Sequence, residues 1–130
     1  MDAHEPAEIK RAIDEFAKEP DGALLGVPEV TLTLHRKLIL ALAAGHRLPA
    51  LYPYRYFPAE GGLASYGIDV RDMWRRSASY VDRILNGEKP ADLPVQAPVK
   101  FEFVLNLKTA KSLDLTLSPT LLARADEVIE

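Results

Sequence analysis

Residues 48–69, LPALYPYRYFPAEGGLASYGID, hold four of the chain's five tyrosines and three of its seven glycines. The segment has no helical periodicity. Its two ends read as strands. Leu48–Tyr52 starts as a strand proper only after Pro49, because proline has no N–H to give to a ladder. Leu63–Ile68 is apolar but diluted by alanine, serine and glycine. Between them, residues 53–62 read as a loop crowded with aromatic rings and one arginine. Whether this is one layer of an α/β domain depends on what flanks it.

Upstream, Ile9, Ala12, Ile13 and Phe16 recur at i, i+3, i+4 and i+7, which predicts an amphipathic helix over 7–19. Pro20, Asp21 and Gly22 stop it, and Ala23–Val27 (ALLGV) follows as a short buried strand. Thr31 or Thr33 is placed to cap a second helix reaching Ala44, with Gly45 at the C′ position. Downstream, Asp69 is an N-cap for a helix Val70–Asn86. Its inner stripe is Met73, Ser77, Tyr80, Val81 and Ile84, and Gly87 ends it. Residues 87–98 hold three prolines and read as an extended connection. Phe101, Phe103 and Leu105 alternate with Glu102, Val104 and Asn106, a strand. A short helix Leu107–Leu113 comes next, and Ser118-Pro119 opens a last helix from Thr120 to about Ile129. The order α-β-α-β-β-α-β-α-α predicts a three-layer αβα sandwich with a mainly parallel sheet.

With 130 residues the expectation is a single domain. Sixteen basic residues scattered among nineteen acidic ones give a net charge of −3. That balance offers no electrostatic footing for nucleic acid or an anionic membrane. The absence of cysteine removes disulfides, thiolate catalysis and cysteine-held metals together. The longest nearly apolar run, Leu38–Ala44, is too short to span a bilayer. The opening MDAHEPAEIK lacks a basic stretch followed by an apolar one, so the expected location of this chain is the cytoplasm.

The chemistry of the residues points to binding rather than catalysis. His4, His35 and His46 do not stand at metal-ligand spacing, so neither a metal nor a cofactor is expected. No G-x-S-x-G elbow exists, and the run Gly62–Gly67 has the wrong spacing for one. Gly61-Gly62 leads into no helix and makes a poor phosphate cradle. What remains is the loops at the carboxyl ends of the strands, where open α/β sheets hold their ligands. These are Pro28–Thr31, Pro53–Phe57 and Gly67–Asp69. The middle one offers Tyr54, Arg55, Tyr56 and Phe57 together. Tyrosines give large contact area at low entropy cost, and a guanidinium can grip a carboxylate with two hydrogen bonds. The same rings could equally pack beneath the loop with Arg55 on the surface, and residue types alone leave both readings open.

The blocks LPALYPYRYFPAEGGLASYGID, RRSASYVDRILNGEKPADLPVQAPVKFEFVLNLKTAKSLDL and LLARADEVIE, in that order, resemble the C-terminal part of substrate-binding proteins of ABC transporters. More narrowly, they resemble the group that includes the tryptophan- and tyrosine-uptake proteins. The resemblance runs from about Pro6 to Glu130 and implies one lobe of a type I periplasmic-binding-protein fold. It further implies that residues 1–130 are the C-terminal lobe, with the N-terminal lobe absent. The implied function is non-enzymatic binding of a small amino-acid-like or aromatic ligand for an ABC permease. The alternative is a stand-alone oligomerising domain that no longer binds one.

By position, the resemblance assigns the cleft to Pro28 and Glu29, to Tyr54 and Arg55, and to Ser65, Tyr66 and Gly67. The chain departs from the family's pattern at Ala64, Asp114 and Ser118, where methionine, glycine and proline are usual. The family's chain path also crosses between lobes near the end of the third strand, so helix Val70–Asn86 would face the missing lobe. Its apolar stripe, with Trp74 beside it, then implies a homodimer through that helix, with exchange of helices or strands as a route.

Overall fold

The computed structural model describes residues 5–130; His4 lies outside them. Helix α1 (Pro6–Phe16) starts with proline at its first turn and buries Ile9 and Ile13, as the 3.6-residue period requires. Strand β1 is Leu24–Leu25. The single helix expected next is two, α2 (Val30–Leu34) and α3 (Arg36–Gly45), broken at His35 with φ −100° and ψ 18°. Its cap is Glu29, not Thr31 or Thr33. The Glu29 carboxylate accepts from the backbone N–H of Thr31 at 2.7 Å and Leu32 at 3.3 Å, and a negative charge suits a helix N-terminus. Gly45 is the last residue of α3, and Arg47 takes the left-handed position instead, with φ 55°. The Arg47 N–H bonds the Ala44 carbonyl and the Leu48 N–H that of Ala43. That is a Schellman closure, and it buries Leu48 as its apolar partner.

Strands β2 (Ala50–Tyr52) and β3 (Ala64–Ile68) fall where expected, but the loop between them contains a helical turn, α4 (Tyr56–Ala59). Asp69 caps α5 (Val70–Leu85) through the Asp72 N–H. Strand β4 (Phe101–Asn106) runs into α6 (Leu107–Ser112), capped by Asn106. Asp114, where the resembled family has glycine, has φ 57°, the conformation that glycine tolerates best.

The expected last helix is mostly absent. After the short α7 (Pro119–Leu122), capped by Ser118, the chain becomes a fifth strand, β5 (Glu127–Ile129). The edge of β4 captures it: the Asp126 N–H bonds the Phe103 carbonyl, and the Asp126 carboxylate accepts the Phe103 N–H. A ladder partner outweighs the helical preference of Ala123, Arg124, Ala125 and Glu127 in this segment.

The sheet order is β1-β2-β3-β4-β5. Pairs β1–β2, β2–β3 and β4–β5 are parallel. Strand β4 runs antiparallel to β3, because the Asn106 N–H meets the Leu63 carbonyl while the Asp69 N–H meets that of Lys100. Residue numbers rise on one strand as they fall on the other, which sets Tyr66 opposite Phe103. The carboxyl ends of β1–β3 and the starts of β4 and β5 therefore share one edge of the sheet.

By contact, the described chain forms two compact units. The first comprises residues to Gly67 and Glu102–Glu130. Its core gathers Ala43, Ala50, Tyr52 and Phe57 under α3 and α4, with Ile9, Ile13 and Leu48 under α1. The second unit is Ile68–Phe101: α5, a 3-10 turn at Pro90–Asp92, and an extended strap leading to Lys100. A salt bridge of 2.9 Å joins Asp69 at the head of α5 to Lys100. The Tyr80 hydroxyl donates to the Pro94 carbonyl. Between helix and strap lies a groove of about 480 Å³ lined by Met73, Tyr80, Ile84, Leu93 and Val99 among others.

Candidate functional site

All seven residues assigned to the cleft lie in the first unit, in or after β1, β2 and β3. The loop after β2 is the best defined. Gly67 shows how closely this loop lies on the end of β3, because a Cβ there would stand 2.0 Å from the Pro53 carbonyl oxygen. No side chain fits that approach. From there Tyr54, Tyr56, Phe57 and Tyr52 form one continuous stack. Centroids are 5.4 Å apart for Tyr54–Tyr56, 4.8 Å for Tyr56–Phe57 and 4.5 Å for Tyr52–Phe57. Arg36 covers Tyr56 at 5.9 Å, and the Tyr56 hydroxyl is 3.2 Å from that of Thr33. Phe57 and Tyr52 are buried, whereas Tyr54 is only partly so. The packing reading holds for the inner rings, which are core, and Tyr54 is the partly exposed outer end of the stack.

Arg55 lies neither idle on the surface nor open toward solvent. Its guanidinium bonds Glu102 at 3.3 Å and also Glu127, reaching from the β2 loop to the starts of β4 and β5. Two carboxylates around one cation balance its charge and take one N–H from each terminal nitrogen, so an incoming carboxylate would compete with them for the guanidinium. Glu102 and Glu127 were not singled out from the sequence. Their place at this edge follows only from the antiparallel turn at β4 and from β5, which local patterns do not reveal.

The remaining candidates divide. Pro28 and Glu29 are exposed at the mouth of β1, with the Glu29 carboxylate engaged in capping α2. Tyr66 is 58% exposed and meets Phe103 edge-on at 6.4 Å. Ser65 is 1% exposed, registered beside Tyr52 in the sheet. The hydroxyls of both Ser65 and Tyr52 are buried without a protein partner. Burial pushes the Tyr52 phenol up to about 12, so it stays protonated at neutral pH. Among the described residues, no three metal-ligating side chains come together, and no helix is long and apolar enough to cross a membrane.

An open, mainly parallel sheet with its loops gathered at one edge is the frame of an α/β ligand-binding lobe. The family model for ABC transporter substrate binding proteins matches residues 1–129, and the chain belongs to that family. Among curated proteins, none matches it. Among solved structures, it is similar to a conserved domain protein from Vibrio cholerae, at 25% identity and TM-score 0.85 over 97% of this chain and 42% of the other. It is similar to an ABC domain from Streptococcus pneumoniae in complex with L-Trp, at 26% identity and TM-score 0.84 over 95% and 42%. A substrate-binding protein with adhesive properties from Clostridium difficile, in its ligand-free open form, shares the fold at 18% identity and TM-score 0.66 over 96% and 41%. The chain thus spans about two-fifths of the length of these proteins.

Proposed function

We propose that this chain is the C-terminal lobe of a solute-binding component of an ABC uptake system. It holds a small amino-acid-like or aromatic ligand without covalent chemistry and serves a membrane permease. The observation that carries this reading is the L-Trp complex of a structural neighbour, 26% identical, together with a stack ending in the partly open Tyr54. A planar side chain laid on Tyr54 extends that stack, and aromatic pairs add about 0.5–1.5 kcal/mol beyond the area they bury. Pro28, Glu29, Tyr66 and Gly67 are the proposed rim of the same edge, with Arg55 and Ser65 behind it. Self-association through α5 belongs to the same proposal, with exchange of elements between copies as one way to form it.

Isothermal calorimetry with L-tryptophan, L-tyrosine and L-phenylalanine tests the ligand. The expected outcome is a saturable heat with at least one of them, lost in Tyr54→Ala while the far-ultraviolet dichroism is kept. The pairing of Arg55 with Glu102 and Glu127 favours a second reading, an oligomerising domain that no longer binds a ligand. No heat with any of the three would support it.

A further inference from the structure

Glu102 and Glu127 change what the edge of the first unit can recognise. The register that sets Tyr66 opposite Phe103 also sets Glu102 opposite Gly67, and Gly67 lies against the Pro53 carbonyl. The order across the edge is therefore Glu102, Gly67, Pro53, with Tyr54 and Arg55 following directly in the loop. The Arg55 guanidinium reaches back to bond both Glu102 and Glu127. The Glu102 side chain is 15% exposed and that of Arg55 33%. Charges sheltered in this way act on a ligand more strongly than charges at an open surface. Two carboxylates against one guanidinium leave the trio one negative charge in surplus.

We infer that this trio receives the protonated amino group of the ligand, with Glu102 and Glu127 as its acceptors and Arg55 positioning them. The inference rests on the solute-binding reading above. It narrows the ligand to one that carries an ammonium, an aromatic amino acid or the matching amine, and not an aromatic acid. An ammonium has three donors and no acceptor, and a carboxylate offers about four acceptor sites, so Arg55 holds both glutamates without saturating either. Its bond to Glu102 is long, 3.3 Å. A carboxylate coming to the same place meets the surplus negative charge and competes for the guanidinium. The two charged groups of an amino acid are thus treated unequally: the ammonium adds a partner, and the carboxylate costs one. Tyr54, the residue before Arg55, is the partly exposed end of the aromatic stack, so ring and ammonium are received on adjoining parts of one edge.

Calorimetry with matched compounds tests this: L-tryptophan, tryptamine and indolepropionate, with L-tyrosine, its amine and its desamino acid beside them. In at least one set the amino acid and the amine are expected to bind, and the desamino acid at least about tenfold more weakly, the worth of one charge-assisted hydrogen bond. Glu102→Gln keeps an acceptor and removes the charge. It should weaken the amino acid and the amine about tenfold and leave the desamino acid unchanged, a selectivity that a disturbed fold does not produce. Glu127→Gln does the same from the second carboxylate and serves where Glu102→Gln fails to fold. A desamino acid that binds as well as its amino acid, beside an amine that does not bind, overturns the inference and leaves the solute-binding reading intact. So does an amine whose affinity neither variant lowers. Silence of every compound overturns the reading of the chain as an aromatic-ligand lobe, and this inference with it.

Discussion

In the first unit Phe57 is fully buried and Tyr52 and Leu105 are 2% exposed; in the second, no residue of α5 is buried although it holds Met73, Trp74, Val81, Ile84 and Leu85. The first unit closes an apolar core of its own under α1, α3 and α4. The second has a well-capped helix, a strap and a groove, but no interior. Helical stability in proteins comes mostly from packing an amphipathic face. The contrast is that the first unit packs a core of buried side chains, while α5 buries none of its own.

The largest effects should separate the units by mutation. Phe57→Ala, which empties the centre of the aromatic stack, is expected to cost about 3–5 kcal/mol in urea unfolding. Trp74→Ala, at a position 71% exposed, should stay within about 0.5 kcal/mol despite removing a larger ring. Equal costs for the two would erase the distinction. Next comes Gly67→Ala, expected to destabilise by about 1–3 kcal/mol because the new methyl overlaps the Pro53 carbonyl. An unaffected urea midpoint would mean that the β2 loop does not lie against β3 as described.

The smallest effect concerns the second unit. A hydrogen bond from Lys100, with one from the Asp72 N–H, holds the Asp69 carboxyl below its ordinary 3.8, and the same pairing holds Lys100 above its ordinary 10.5. A carboxyl depressed on folding contributes stability above its unfolded value, and that contribution is lost as pH falls through the folded one. Lys100 is raised, so its share is present below 10.5 and disappears only as pH rises through the higher folded value. Asp69→Asn keeps the cap but loses the charge. The gap in urea midpoint between the native chain and this variant should be constant from about pH 5 to 8 and close below about pH 4. A gap unchanged at pH 3 would deny the pairing.

Much of this was legible where local signals were strong. The 3.6-residue period of α1, the alternation of β4 and the Asp69 cap of α5 each fell where the structure has them. The carboxyl-end loops could be placed because a parallel sheet gathers them at one edge. What stayed hidden was non-local or in competition with local preference. Residues 123–129 read as helix because only the edge of β4, some twenty residues upstream, makes them a strand. Helix α2 begins at Val30 because Glu29 caps it, where the threonines looked the better caps, and no local signal marks the break from α3 at His35. Arg55 read as a free grip for a carboxylate because Glu102 and Glu127 reach it only once β4 turns antiparallel. The family resemblance supplied the proposed cleft residues, and the structure shows among them a partly exposed ring at Tyr54, an arginine paired with two carboxylates and a buried serine.

Hydrogen exchange of the native chain, followed amide by amide at low and high concentration, tests the division between the units most directly. Amides of β2, β3 and β4 within the first unit should show the same high protection at both concentrations. Those of α5, none of whose side chains is buried, should exchange at least about tenfold faster at either concentration. Amides of α5 as protected as those of the sheet would contradict the account.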